Sequence, residues 1–299
     1  MAIVWNLLTE SIPMNYFAGS KQGDFTIITW NMNSPDLGIK DSTDWDNAAK
    51  TILEQNPDLV CLQEYDTLRN IKLTDLLRKS FPYITTMHQK GNNIILSKFP
   101  IGRTLTLHID TSKMSMEGSK EFWMREARKV RPESTLSQDR LVMWTTINIK
   151  GKKLLLLNCH LGSNHYDMQR MAMGVSMKWS DGIPSYLENL RRGRMERMAE
   201  AIGIGEILRN NEKPIIVCGD LNDLSGGDVL NMLQKENELY DAWWEGGFGP
   251  GFTYHGHYVM HFRLDHVLYN DRLKLKSVKV VEQKISDHHP IVASFDISF

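Results

Sequence analysis

The chain predicts an α/β fold built on two packed β-sheets, and three observations lead there. From Phe25 onward short β-rich runs alternate with helical stretches, the number of such runs suits two sheets, and six of the runs finish on a polar side chain. A strand that ends on Asn, Glu, His or Asp aims that group at one edge of a sheet.

The elements follow in order. Phe25 to Trp30 reads as a strand, Asp44 to Gln55 as an amphipathic helix capped near Ser42 or Thr43, and Leu59 to Leu62 as a buried strand after the Pro57-Asp58 break. Ile71 to Lys79 predicts a second helix, and Asn93 to Leu96 a strand closed by Ser97-Lys98-Phe99-Pro100. Arg140 to Ile149 turns through Lys150-Gly151-Lys152 into Lys153 to Asn158, a hairpin by pattern. A long helix around Tyr186 to Arg209 precedes a strand at Pro214 to Cys218 and a helix at Gly227 to Gln234. Leu264 to Tyr269, Leu275 to Val281 and Ile291 to Phe295 supply the last strands, and no internal repeat is present.

Two stretches fit this scaffold poorly and predict insertions, a polar, basic one near 109–137 and a Met-rich one near 165–184. Loops on a rigid scaffold carry recognition, so these flank the expected site as candidate specificity elements. Residues 1–24 read as an N-terminal extension, and 25–299 as one domain, because the polar strand ends must converge from both halves of the chain. The opening Met1-Ala2-Ile3-Val4-Trp5 lacks a basic n-region and a long apolar core, so it is a poor signal peptide. Localisation stays open, as does membrane association through a short or missing N-terminal segment.

Composition is that of an ordinary globular chain, 41% hydrophobic and 24% charged, with 35 basic against 36 acidic side chains. A net charge of −1 gives no global attraction to a polyanion, so any nucleic-acid preference would come from local patches. Cys61, Cys159 and Cys218 sit inside apolar strand-like runs and predict free core thiols rather than a disulfide framework.

The six polar strand ends are Thr29-Trp30-Asn31-Met32-Asn33, Leu62-Gln63-Glu64, Asn158-Cys159-His160-Leu161, Cys218-Gly219-Asp220-Leu221-Asn222, Arg263-Leu264-Asp265-His266 and Ser286-Asp287-His288-His289-Pro290. In that order, from about Phe25 to Phe299, they resemble the endonuclease/exonuclease/phosphatase superfamily, the DNase I-like phosphoesterases. The resemblance implies a four-layer α/β/β/α sandwich, two mixed β-sheets flanked by helices, and metal-dependent hydrolysis of a phosphoester by in-line attack of water.

Such hydrolysis needs a metal against the non-bridging oxygens, an activated water, and donors for the charge of the transition state. Glu64 at the end of a buried strand is the expected metal ligand, since an unpaired carboxylate there is costly. Asp287 is the expected second ligand, and Asn31 a contributor through its carbonyl or a bridging water. Oxygen ligands favour Mg²⁺, with Mn²⁺ as substitute. His288 resembles the family's catalytic histidine and Asp265 the acid that orients it, while His160 is expected to donate to the scissile phosphate. Asp220 and Asn222 share a face if the strand continues, one to position water and the other to donate to a phosphoryl oxygen; an Asx-turn is the other reading of that pair. Whether Asp220 or His288 is the general base stays open.

Four further residues are candidates for substrate contact: Asn33, His289 at the rim, Trp243 in an aromatic and glycine-rich tract, and Arg125 in a basic run. Trp243 has a competing role as a plug at the sandwich edge. The run Arg191, Arg192, Arg194 and Arg197 reads as a solvated helix face, and the C-terminal histidines match no common zinc spacing. Nucleic acid, a phospholipid or inositol phosphate and a small phosphoester all stay open as substrates, and no protein partner is inferable. The competing class is an inactive binding module on the same fold, against which the complete set of polar strand ends stands.

Overall fold

The computed structural model describes residues 23–32, 42–65, 71–86, 93–107, 141–162, 182–255 and 261–298. The expected extension and both expected insertions lie almost wholly outside these residues. Twelve strands are described: β1 (Phe25–Asn31), β2 (Leu59–Gln63), β3 (Tyr83–Thr86), β4 (Ile94–Ser97), β5 (Leu105–Leu107), β6 (Leu141–Ile149), β7 (Lys152–His160), β8 (Ile215–Asp220), β9 (Tyr240–Asp241), β10 (Asp265–Tyr269), β11 (Leu273–Val280) and β12 (Ile291–Ile297). The described helices are α1 (Ser42–Glu54), α2 (Ile71–Arg78), α3 (Gly182–Leu208), α4 (Asp228–Asn237) and α5 (Ala242–Gly246).

Side chains on a strand alternate between its two faces, and the central strands here are apolar on both. Ile27, Leu59, Cys61, Leu154, Leu156, Ile216 and Cys218 meet in one buried cluster between the sheets. Their neighbours Ile28, Val60 and Leu62 turn the other way, onto Ala48, Ala49 and Ile52 of α1 and Leu73 and Leu77 of α2. Leu155, Leu157 and Val217 likewise pack against Ala201 and Ile204 of α3 and Val229, Leu230 and Leu233 of α4. Three cores between four layers make the α/β/β/α sandwich. The three cysteines are free and buried in these cores.

The sheets are built alike. The first runs β11-β12-β1-β2-β4-β3 and the second β5-β6-β7-β8-β10-β9, six strands each. Each is mixed, with a parallel pair at its centre: β1 with β2, and β7 with β8. Parallel neighbours finish at the same edge, so Asn31 stands beside Gln63, and His160 beside Asp220. β10 runs antiparallel to β8 and starts at that edge, with Asp265 opposite Asp220. Among the described residues no helix is long and apolar enough to cross a membrane.

Candidate active site

Backbone geometry at the strand ends explains how the polar groups gather. Gly219 lies at φ +128°, and a Cβ there would fall 2.0 Å from the Cys159 carbonyl oxygen, so only glycine lets β8 approach β7 just before Asp220. Glu64 adopts φ +48° immediately after β2. That left-handed turn costs a side-chain-bearing residue roughly 1–2 kcal/mol, a strain typical of functional positions.

Glu64, Asp220 and Asn31 then meet. Asn31 Nδ2 donates to Glu64 Oε1 at 3.0 Å and to Asp220 Oδ2 at 2.9 Å, joining a carboxylate of each sheet. The amide nitrogen thus faces both carboxylates. His160 Nε2 lies 3.4 Å from Glu64 Oε1 and 3.8 Å from Asp220 Oδ2. Ligand atoms of Glu64, His160 and Asp220 all fall within 4.8 Å of one another, as do those of Asp220, Asp265 and His288, so two overlapping groups can hold a metal ion. Asp287 is buried beside these groups without belonging to either.

His288 is held from every side. Its Nδ1 lies 2.7 Å from Asp265 Oδ2 and its Nε2 3.8 Å from Asp220 Oδ2. Tyr254 covers the ring at a centroid distance of 5.0 Å. Trp30 Nε1 donates to the His288 carbonyl at 2.8 Å, and Ser286 Oγ accepts from the His288 N–H while donating to the Asn31 carbonyl. Burial disfavours the imidazolium, yet the charges of Asp265 and Asp220, the Asp265 hydrogen bond and Asp287 outweigh it and lift His288 to about 10. For Asp265 burial is likewise overcome, by His288, and its pKa is lowered. Asp220 moves up, because burial and the neighbouring Asp265 together exceed the help from His288.

Asn222 follows the second of the two readings of the Asp220 and Asn222 pair. The strand stops at Asp220, whose Oδ1 accepts the Asn222 N–H at 2.9 Å, so the Asx-turn forms and Asn222 takes φ +48°. Its Nδ2 donates to the Leu161 carbonyl at 2.9 Å, tying the residue after His160 to the turn. The shared-face geometry is therefore corrected, because the turn redirects the amide. The same loop is fixed behind: Asp223 Oδ2 accepts the N–H groups of Val229 and Leu230 at the start of α4, whose preceding Gly227 has no side chain to do so.

Two substrate-contact expectations are corrected by burial. Trp243 is 5% exposed and packs into the core between the sheets, with its Nε1 on the Gly249 carbonyl; the exposed indole is that of Trp244, at 66%. His289 is 7% exposed and braces the chain rather than lining a rim: its Nδ1 accepts the Gln283 N–H and its ring lies 4.4 Å from that of His255. Burial and the adjacent His255 and His288 press His289 down to about 4, so the ring is neutral. Asn33 and Arg125 lie outside the described residues.

Sequence reasoning also missed partners. Arg197, expected on a solvated face, is 6% exposed and donates to the Gly162 carbonyl, while Glu200 accepts the Gly162 N–H at 2.8 Å, so α3 clamps the chain just beyond His160. Arg263 Nη1 bonds both oxygens of buried Asp241, at 3.0 and 2.7 Å, and His266 Nδ1 lies 3.2 Å from the same carboxylate. The charged run in the sequence signalled Arg197 only as a cation; nothing local marked it as buried.

The sequence and the fold have known counterparts. The sequence model of the Endonuclease/Exonuclease/phosphatase family matches residues 28–288. Among curated proteins, "UPF0294 protein VP2298" of Vibrio parahaemolyticus is 27% identical over 135 residues, which spans 44% of this chain and 44% of that one. Among solved structures, the human Nocturnin catalytic domain with bound sulfate aligns with a TM-score of 0.63 at 16% identity, covering 95% of this chain and 98% of its own. Truncated Caenorhabditis elegans TDP2 gives 0.60 at 20% identity over 91% and 96%. D. rerio TDP2 complexed with a single-strand DNA product gives 0.63 at 15% identity over 91% and 98%.

Proposed function

The chain belongs to the Endonuclease/Exonuclease/phosphatase family, and on that premise we propose that it is a Mg²⁺-dependent phosphoesterase that hydrolyses its substrate by in-line attack of water. The observation that carries the reading is the Asp265–His288 pair, 2.7 Å apart, facing Asp220 at the edge where Glu64 and His160 also end. Glu64, Asp220, Asp265 and Asp287 place four carboxylates at a largely buried edge, a hard, oxygen-rich donor set that fits Mg²⁺ or Mn²⁺. Glu64 and Asp287 are the proposed ligands, with Asn31 beside Glu64. Bound there, the ion supplies charge neutralisation at the phosphoryl oxygens.

The remaining roles belong to the protein. Asp265 holds Nδ1 of His288, which fixes the ring's tautomer and points Nε2 toward Asp220. Asp220 and His288 thus share the handling of the attacking water's proton. His160, between Glu64 and Asp220, offers Nε2 to the scissile phosphate. Asn222 acts on the same site through the Leu161 carbonyl, keeping the segment after His160 in place.

The substrate is a phosphoester. Human Nocturnin was solved with a sulfate anion and D. rerio TDP2 with a single-strand DNA product, which supports an anionic ligand of phosphate chemistry. The net charge of −1 argues against tight non-specific binding to duplex DNA, which depends on many Lys and Arg contacts. The test is a panel of plasmid DNA, abasic duplex, RNA, phosphoinositides, sphingomyelin and bis-p-nitrophenyl phosphate, each with Mg²⁺ or EDTA. Turnover of one class that needs metal and vanishes in His288→Ala supports the reading. Metal-independent turnover, or turnover that survives His288→Ala, overturns it.

A further inference from the structure

Two buried amides sit just beneath the candidate site and join the sheets. Gln63 ends β2, one residue before Glu64, and Asn158 lies on β7, two residues before His160; both are fully buried. Gln63 Nε2 donates to Asn158 Oδ1 at 2.7 Å, across the sheets, and to Thr29 Oγ1 at 3.0 Å, within its own sheet. Asn158 Nδ2 returns the link by donating to the backbone carbonyls of Leu62 at 3.1 Å and Ile94 at 3.0 Å, both in the first sheet. Asn93 Nδ2, before β4, donates to the Asn158 carbonyl at 3.0 Å.

Elsewhere this inter-sheet layer is filled by Phe25, Ile27, Cys61, Leu156, Cys218 and other apolar side chains. Apolar burial is non-directional and would let two twisted sheets settle over a range of offsets. Hydrogen bonds demand a distance and an angle, so an amide pair in that layer selects one offset. The side chains of Asn158 and His160 lie two apart on one strand and project from the same face. Glu64 directly follows Gln63. Whatever holds Gln63 to Asn158 therefore sets the separation of Glu64 on one sheet from His160 on the other, now 3.4 Å.

We infer that Gln63 and Asn158 are positioning residues for the active site, their inter-sheet amide bridge fixing the gap between Glu64 and His160. The inference rests on the proposed reading of Glu64 as a metal ligand and His160 as a phosphate donor. It assigns the two amides no contact with substrate or ion.

The test compares Gln63→Met, which keeps the bulk and removes the donor, with Thr29→Val, which removes a bond of the same Gln63 amide while leaving the bridge. Mn²⁺ affinity by calorimetry, kcat and KM on bis-p-nitrophenyl phosphate, and crystal structures of both variants are the readouts. Groups that orient metal ligands typically change affinity or activity roughly 10–100-fold. Gln63→Met should therefore weaken Mn²⁺ binding and lower kcat by about that factor, with KM unchanged and the 3.4 Å gap widened. Thr29→Val should match the wild type in all three. Equal effects of the two variants on affinity and kcat, or an unchanged gap in Gln63→Met, overturn the bridge. Should Gln63→Met not fold, Gln63→Asn shortens the arm while keeping the amide, and reads the same gap. A wild type that binds no Mn²⁺ removes the metal reading instead, and the crystallographic gap still decides the bridge.

Discussion

Asp220 and Asp265 stand directly opposite each other on β8 and β10, and His288 is bonded to the second while lying 3.8 Å from the first. Two carboxylates in register repel, and the imidazolium between them is what makes the pairing tolerable. The chemistry proposed for this edge depends on that arrangement, because it separates the proposed proton-handling pair from Glu64, the proposed metal ligand.

Asp265→Asn should depress turnover far more than metal affinity. The amide keeps the shape but removes the charge that orients His288 and favours its protonated form, a contribution worth roughly 10²–10⁴ in rate for positioned acid–base groups. Mn²⁺ affinity measured alongside kcat checks this. A large loss of affinity with little loss of kcat would sink the assignment.

His288 should carry its proton far into the alkaline range in metal-free protein. Its folded pKa of about 10 exceeds the ordinary 6.5, so the stability it contributes is complete below pH 6.5 and is lost as pH rises through about 10. A histidine NMR titration reads this directly. In Asp265→Asn the midpoint should fall toward neutrality.

The Asp241 carboxyl should stabilise the fold down to strongly acid pH. Burial opposes its charge, but His266 and Arg263 prevail and hold it at about 2, against 3.8 unfolded. Its contribution of about 2 kcal/mol is thus complete above pH 4 and is lost as pH falls through 2. Urea unfolding of wild type and Asp241→Asn should show a gap that is wide at pH 5 and narrows below pH 3.

Adjacent tryptophans should behave oppositely. Trp243→Ala empties a site in the inter-sheet core and should cost about 3–5 kcal/mol in denaturant unfolding, whereas Trp244→Ala, on an exposed ring, should stay within about 0.5 kcal/mol. Equal costs would contradict the burial described.

Glu64→Gln should lose metal affinity and turnover together, while the fold persists. Glu64 sits in a left-handed turn with a partly exposed side chain, so neutralising it leaves no charge stranded in the core. Calorimetry with Mn²⁺ and thermal unfolding separate the two effects.

Much of this was legible in the sequence, for identifiable reasons. The strands carrying the site are buried on both faces, so they read as short apolar runs, and the polar residues at their site-facing ends stand out against them. β3 escaped notice because none of its residues is buried, and β5 and β9 because two or three residues carry no period. The placements of Asn222, Trp243 and His289 escape spacing for a different reason. Each depends on where one side chain turns after a strand or helix ends, through an Asx-turn, a neighbour one position away or a ring contact with His255. Spacing along the chain holds no record of such turns. Arg197 and Glu200 look like any charged helix face until Gly162 is placed between them.

In the first sheet β1 lies between β2 and β12, so the strand that opens the fold is flanked on one side by residues 291–297. During synthesis on a ribosome, β1 can find β2 early, yet its other edge waits while more than two hundred residues are added. Asp287 and His288 arrive with that same closing stretch. A nascent chain therefore has an open β1 edge until residues 291–297 are free to dock, and the proposed centre, which needs Asp287 and His288, cannot assemble before that stretch is made.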